Sequence, residues 1–111
     1  DYLSARYDYF AATRVLTKAA KLFPNNHEVL RGFGLLEYRR NNIKDAISYL
    51  QRANKIYEND TETLILLAKA HGANNEFQEA QKHAVRAIEI DSTNTEAQIV
   101  YAQILTQFQG I

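Results

Sequence analysis

Equivalent residues recur along this chain at one interval of 34 residues. Glu28, Glu62 and Glu96 are spaced by it. So are Ala12, Ala46 and Ala80, Ala19, Ala53 and Ala87, Leu22, Ile56 and Ile90, and Gly34, Ala68 and Ala102. Five columns in one register, without a gap, constrain the fold more than any other feature. A unit this short cannot bury its apolar face alone, so successive units must stack and share a core. The 111 residues hold one small domain of about three such units.

Each unit reads as two helices. Leu30, Phe33, Gly34 and Leu36, then Leu64, Leu67, Ala68 and Ala70, give the first helix an apolar or small face. Ile43, Ala46, Ile47, Leu50, Ala53 and Ile56 step by threes and fours, as one side of a second helix requires, and Phe77, Ala80, Ala84, Ala87, Ile88 and Ile90 repeat the pattern. The spacing predicts helices over 9–23, 27–40, 44–57, 61–73, 77–90 and 95–108, with a helical remnant at 1–6. Asn25, Asn59 and Thr93 each precede a glutamate by three residues, the pattern of a capping box, and the acid complements the helix dipole. Asn41-Asn42 and Asn74-Asn75 are expected to form tight turns, because asparagine tolerates the left-handed backbone that ends a helix. Gly34, Ala68 and Ala102 are expected opposite Ala46, Ala80 and their equivalents, where helices cross closely. Phe10, Phe23, Phe33 and Phe77 fall on predicted packing faces and are expected in the core.

The 34-residue helix–turn–helix period, the small residues at Gly34/Ala68 and Ala46/Ala80, the Ala53/Ala87 column and Pro24 at the end of a second helix resemble tetratricopeptide repeats. The resemblance covers nearly the whole chain. It implies an all-α, right-handed solenoid: a partial repeat over 1–26, repeats over 27–60 and 61–94, and a partial repeat over 95–111. The mid-repeat start, the absence of methionine and a last helix without its partner lead us to expect a fragment of a longer repeat protein, with Ile104, Leu105 and Phe108 under-covered.

In the first helix of a unit, Leu30, Phe33, Gly34 and Glu37 point toward the paired helix, at roughly 100° per residue. Arg31, Leu35, Tyr38 and Arg39 then lie on or beside the opposite side. The same positions hold Ile65, Lys69, Gly72 and Ala73, then Ile99, Gln103, Thr106 and Gln107. By the resemblance, these sides line a concave groove that accepts an extended peptide or partner helix. Its floor would be Arg31, Leu35, Tyr38, Arg39, Ile65, Lys69, Ile99 and Gln103, part apolar and part basic. The alternative is that Leu35, Ile65 and Ile99 pack against neighbouring helices while Arg39 and Lys69 are merely solvated. Some members of the family grip a C-terminal carboxylate with a lysine and an asparagine one turn apart. Here Leu35 follows Arg31 and Ala73 follows Lys69, so that clamp is not expected.

Other function classes find little support. Cysteine is absent, which removes thiolate nucleophiles and thiolate metal sites. Gly32 and Gly34 are followed by no lysine-serine or lysine-threonine step, so no phosphate loop is present. His27, His71 and His83 are far apart and no serine has a partner histidine at a suggestive spacing; His71 reads as a packed side chain. We expect no catalysis, no metal and no cofactor. No apolar run approaches the roughly 18 residues that cross a bilayer. Arg39-Arg40 is the only adjacent basic pair, so no nucleic-acid partner is expected. Thirteen basic and thirteen acidic residues cancel, yet residues 1–57 hold ten basic and five acidic groups while 58–111 hold three and eight. The expected function is a protein–protein interaction scaffold that takes a protein or peptide of acidic and apolar character. The alternative is a structural segment that associates, with its own copies or flanking repeats, through its ends or convex face.

Overall fold

The computed structural model describes the backbone of residues 2–109 and the side chains of residues 8–107. Six helices follow one another: α1 (Tyr2–Leu22), α2 (His27–Arg39), α3 (Ile43–Ile56), α4 (Thr61–Ala73), α5 (Phe77–Ile90) and α6 (Thr95–Gln109). The last five match the expected bounds within a residue. The first does not, because α1 runs unbroken through the turn expected near residues 7–8. At the turn position, Tyr7 stands where the later units have Asn41 and Asn75, at φ 68° and 61°. A bulky side chain is strained in that left-handed region, and 2–22 contains no glycine or proline, so the helix continues. Asp1 lies outside the described residues.

The two asparagine turns share one construction. Asn42 N–H donates to the Glu37 carbonyl and Asn41 N–H to that of Tyr38; Glu76 donates to His71 and Asn75 to Gly72. This is the Schellman closure around a left-handed residue, and it satisfies carbonyls the helix leaves open. At the other ends the capping residue stands one place later than the capping-box pattern predicts. Asn26 Oδ1 accepts from the N–H groups of Glu28 and Val29, and Asn94 Oδ1 from that of Ala97. Glu28, Glu62 and Glu96 are therefore second helical residues. They face the positive end of the dipole without closing a reciprocal box.

Each helix packs on the next, α2 also touches α4, and α4 touches α6, while α3 and α5 do not meet. Even-numbered helices thus form the inner layer of the stack and odd-numbered ones the outer layer. The central helix α4 is covered on several sides, burying Leu64, Ile65, Leu67, Ala68 and Ala70. Around it lie Ala80, Ala84 and Ala87 of α5, Ala97, Val100 and Ile104 of α6, and Ile47 and Leu50 of α3. The small columns permit the approach. A Cβ added to Gly34 would stand 2.6 Å from Leu50 Cγ and 3.4 Å from the Ala46 carbonyl oxygen.

Three expectations about the ends need correction. Phe10 and Phe23 are 55% and 59% exposed, because α1 packs only on α2 and its outer side meets no described element. Ala102 is exposed, since among the described residues no helix packs on α6 as α3 packs on α2 and α5 on α4. Ile104, by contrast, is buried in the α4–α5–α6 core, and Leu105 is half-buried. The Phe108 side chain lies outside the described residues.

Candidate functional site

Of the eight residues singled out on the inner helices, seven line two cavities that share Lys69. One, of about 640 Å³, is bounded by Tyr38, Lys69, Ile99 and Gln103, together with Gly72, Ala73, Ala102 and Thr106. The other, of about 260 Å³, is bounded by Leu35, Arg39, Ile65 and Lys69, with Glu62 and Glu96. Helical spacing accounts for the assembly: the inner layer turns the same side of α2, α4 and α6 away from the outer helices.

The eight are not equivalent. Ile99 is 51% exposed and is the most open apolar side chain among them, whereas Ile65 is buried in the core and contributes mainly packing. Tyr38 leans on the Ile47–Leu50–Leu67 cluster, and Leu35 is half-buried. Arg31 sits apart, over the start of α4, where it pairs with Asp60 and Glu62. Lys69 Nζ lies 2.6 Å from Glu96 Oε1. Arg39 is exposed and has no ion-pair partner among the described residues.

Asp60 anchors the Arg31 contact. Burial alone would raise its carboxyl, but hydrogen bonds from Thr63 and Arg31, with the Arg31 charge, outweigh that and hold it below the usual carboxylate range. Arg31–Asp60/Glu62 and Lys69–Glu96 both tie an inner helix to the start of the next, so they are inter-repeat struts. Sequence reasoning took Glu62 and Glu96 for helix-start residues only. Their place on the cavity rim was not visible, because it depends on how far successive inner helices are offset.

At the α4–α5 turn, His71 is buried, as expected of a packed side chain, and its ring stacks on that of His83. Burial lowers the His83 imidazole, aided by His71 and Lys82 and opposed by Glu79. Hydrogen bonds from Asn74 and then His71 hold the exposed Glu76 carboxyl below its ordinary value.

Among solved structures, the first TPR of Spaghetti (RPAP3) bound to HSP90 peptide SRMEEVD superposes with a TM-score of 0.86 over 94% of this chain and 82% of that one, at 21% identity. This is the tetratricopeptide repeat fold. The Sgt2 TPR domain from Aspergillus fumigatus gives a TM-score of 0.85 at 15% identity, over 96% of this chain and 72% of that one. MamA gives 0.82 at 24% identity, over 99% of this chain and 64% of that one. No family model matches the sequence, and no curated protein does either. The tetratricopeptide architecture is thus carried by small-residue columns and helix phasing at low overall identity.

Proposed function

We propose that this domain is a non-catalytic interaction scaffold whose inner face receives an extended peptide or a partner helix. The observation that carries the reading is the pair of cavities joined at Lys69, with Ile99 left half open between repeats. Tyr38, Leu35 and Ile99 would bury apolar side chains of the ligand, at about 25 cal/mol per Å² removed from water. Arg39 is the cation most ready to meet a carboxylate. Lys69 would have to exchange Glu96 for the ligand, and Arg31 would have to give up Asp60, so their net contribution is smaller. The preferred ligand is therefore apolar with an acidic group set over Arg39 and Lys69. An acid-rich peptide in the Spaghetti complex supports the class of ligand. It does not carry over that HSP90 peptide itself, because Leu35 and Ala73 stand where the resemblance would call for a clamp asparagine.

Fluorescence anisotropy with labelled leucine-rich acidic peptides tests this. Saturable binding weakened about tenfold in an Arg39→Ala/Lys69→Ala variant is expected, since each lost charged contact is worth about 0.5–1 kcal/mol at an open site. Equal binding by the variant would contradict the proposal.

A second reading, association through the ends, draws on Phe10, Val15, Leu22 and Phe23, all more than half exposed on or just after α1. Salt-dependent oligomers in light scattering would favour it; a monomer at all ionic strengths would not.

A further inference from the structure

The α4–α5 hairpin brings together His71, Glu79 and His83, the one group of three metal-ligating side chains found among the described residues. Glu79 and His83 are four apart on α5 and share a face, while His71 comes from the last turns of α4. One donor atom from each lies within 4.8 Å of the other two. Counting histidines alone hides this pair, because the i, i+4 partner of His83 is a carboxylate.

The state of His71 gives an independent indication. Its Nδ1 lies 3.1 Å from Glu76 Oε1, and a carboxylate can only accept, so Nδ1 carries the proton. In the neutral ring Nε2 then presents its lone pair. That atom is buried, in a residue only 4% exposed, and has no hydrogen-bond partner among the described residues. An orphaned buried nitrogen is uncommon in a folded protein. The half-buried His83 lines an open cavity of about 670 Å³ between α3 and α5, and Glu79 is exposed, so two of the three side chains are reached from solvent.

We propose that His71, Glu79 and His83 form a binding site for a divalent transition-metal ion, zinc foremost, with His71 ligating through Nε2. Two imidazoles and one carboxylate are a donor set zinc accepts, leaving a fourth position for water or another ligand. Metal–ligand bonds of about 2.0–2.2 Å put tetrahedral donors roughly 3.4 Å apart, so donor atoms now within 4.8 Å of one another need to close by no more than about 1.4 Å. Exposed Glu79 and half-buried His83 have the freedom to do so, and His83 must also turn out of its stack on His71, because an imidazole nitrogen binds a metal in its own ring plane. Glu76 takes the part of the outer carboxylate that fixes the tautomer and direction of a ligating histidine. The bound ion clips α4 to α5 across the turn 74–76.

Calorimetric titration of the metal-free chain with zinc chloride, and with cobalt(II) followed by visible absorption, tests the site. One equivalent should bind, the thermal midpoint should rise, and cobalt should give the intense bands of a four-coordinate centre. His83→Gln and Glu79→Gln, neither of which empties a fully buried position, should each weaken binding at least about tenfold, and Glu76→Gln by about 10–100-fold. His27→Gln, far from the cluster, should bind as the parent does. No uptake at millimolar zinc, or affinity and stoichiometry unchanged in His83→Gln and Glu79→Gln, would overturn the assignment.

Discussion

Replacing glycine by alanine inside a helix ordinarily stabilises it by about 0.8–1 kcal/mol. The three helical glycines among the described residues should respond in different ways. At Gly34 the new Cβ falls 2.6 Å and 2.7 Å from Leu50 Cγ and Cδ2, with the Ala46 carbonyl oxygen 3.4 Å away. Leu50 is fully buried, so it cannot swing clear. Overpacking of this kind costs about 1–3 kcal/mol, which exceeds the propensity gain and leaves a net loss of about 1 kcal/mol. For a domain of 111 residues that lowers the thermal midpoint by roughly 4 °C. At Gly72 the nearest atoms are 3.8 Å or more away, ordinary contact distance. Gly72→Ala should therefore raise the midpoint, by a gain of about 0.5–1 kcal/mol. At Gly32 the one close atom is the tip of the half-buried Leu16, 2.7 Å away, which can rotate aside. Gly32→Ala should be neutral or mildly stabilising. Thermal unfolding by circular dichroism reads all three. Adding Leu50→Ala to Gly34→Ala should cost less than Leu50→Ala alone, because the clash disappears with the leucine. A midpoint for Gly34→Ala as high as that of Gly72→Ala would refute the close α2–α3 crossing.

Two further substitutions test the turns and the inter-repeat struts. Asn41→Ala should destabilise by about 1–2 kcal/mol in chemical unfolding while Asn41→Gly should not, because only the alanine is strained at φ 68°. Asp60→Asn should cost about 1 kcal/mol at neutral pH, where the native carboxylate is bound by Arg31 and Thr63. The Asp60 carboxyl is depressed in the folded state, so its contribution is present above the ordinary value of 3.8 and is lost as pH falls through the lower folded value. The gap between parent and variant should therefore begin to narrow below about pH 4 and close only once pH is below the depressed folded value.

How much was legible in the sequence differs between the middle and the ends. Gly34, Ala68, Ala46 and Ala80 announced the helix crossings because only small residues fit them. Asn41 and Asn75 announced the turns because few residues accept positive φ. The same logic, applied to Tyr7, would have predicted the continuous α1. Phe10 and Phe23 were misjudged because amphipathic spacing reports a face that can be covered, not whether an element covers it. For the candidate site, helical phase named seven of the residues that line the two cavities, but neither Glu62 nor Glu96 on their rim. It could not reveal that Arg31 and Lys69 are already paired to the start of the next inner helix, since Asp60 and Glu96 stand 29 and 27 residues away. Nor could it place Glu79 beside two histidines from different helices.

The most direct test of the central claim is an amide-resolved NMR titration of the domain with a pooled library of extended and helical peptides. Shifts gathered on Leu35, Tyr38, Arg39, Lys69, Ile99 and Gln103, and abolished by Arg39→Ala/Lys69→Ala, are the predicted result. Shifts confined to α1 and the chain ends, or none below millimolar peptide, would contradict an inner-face receptor.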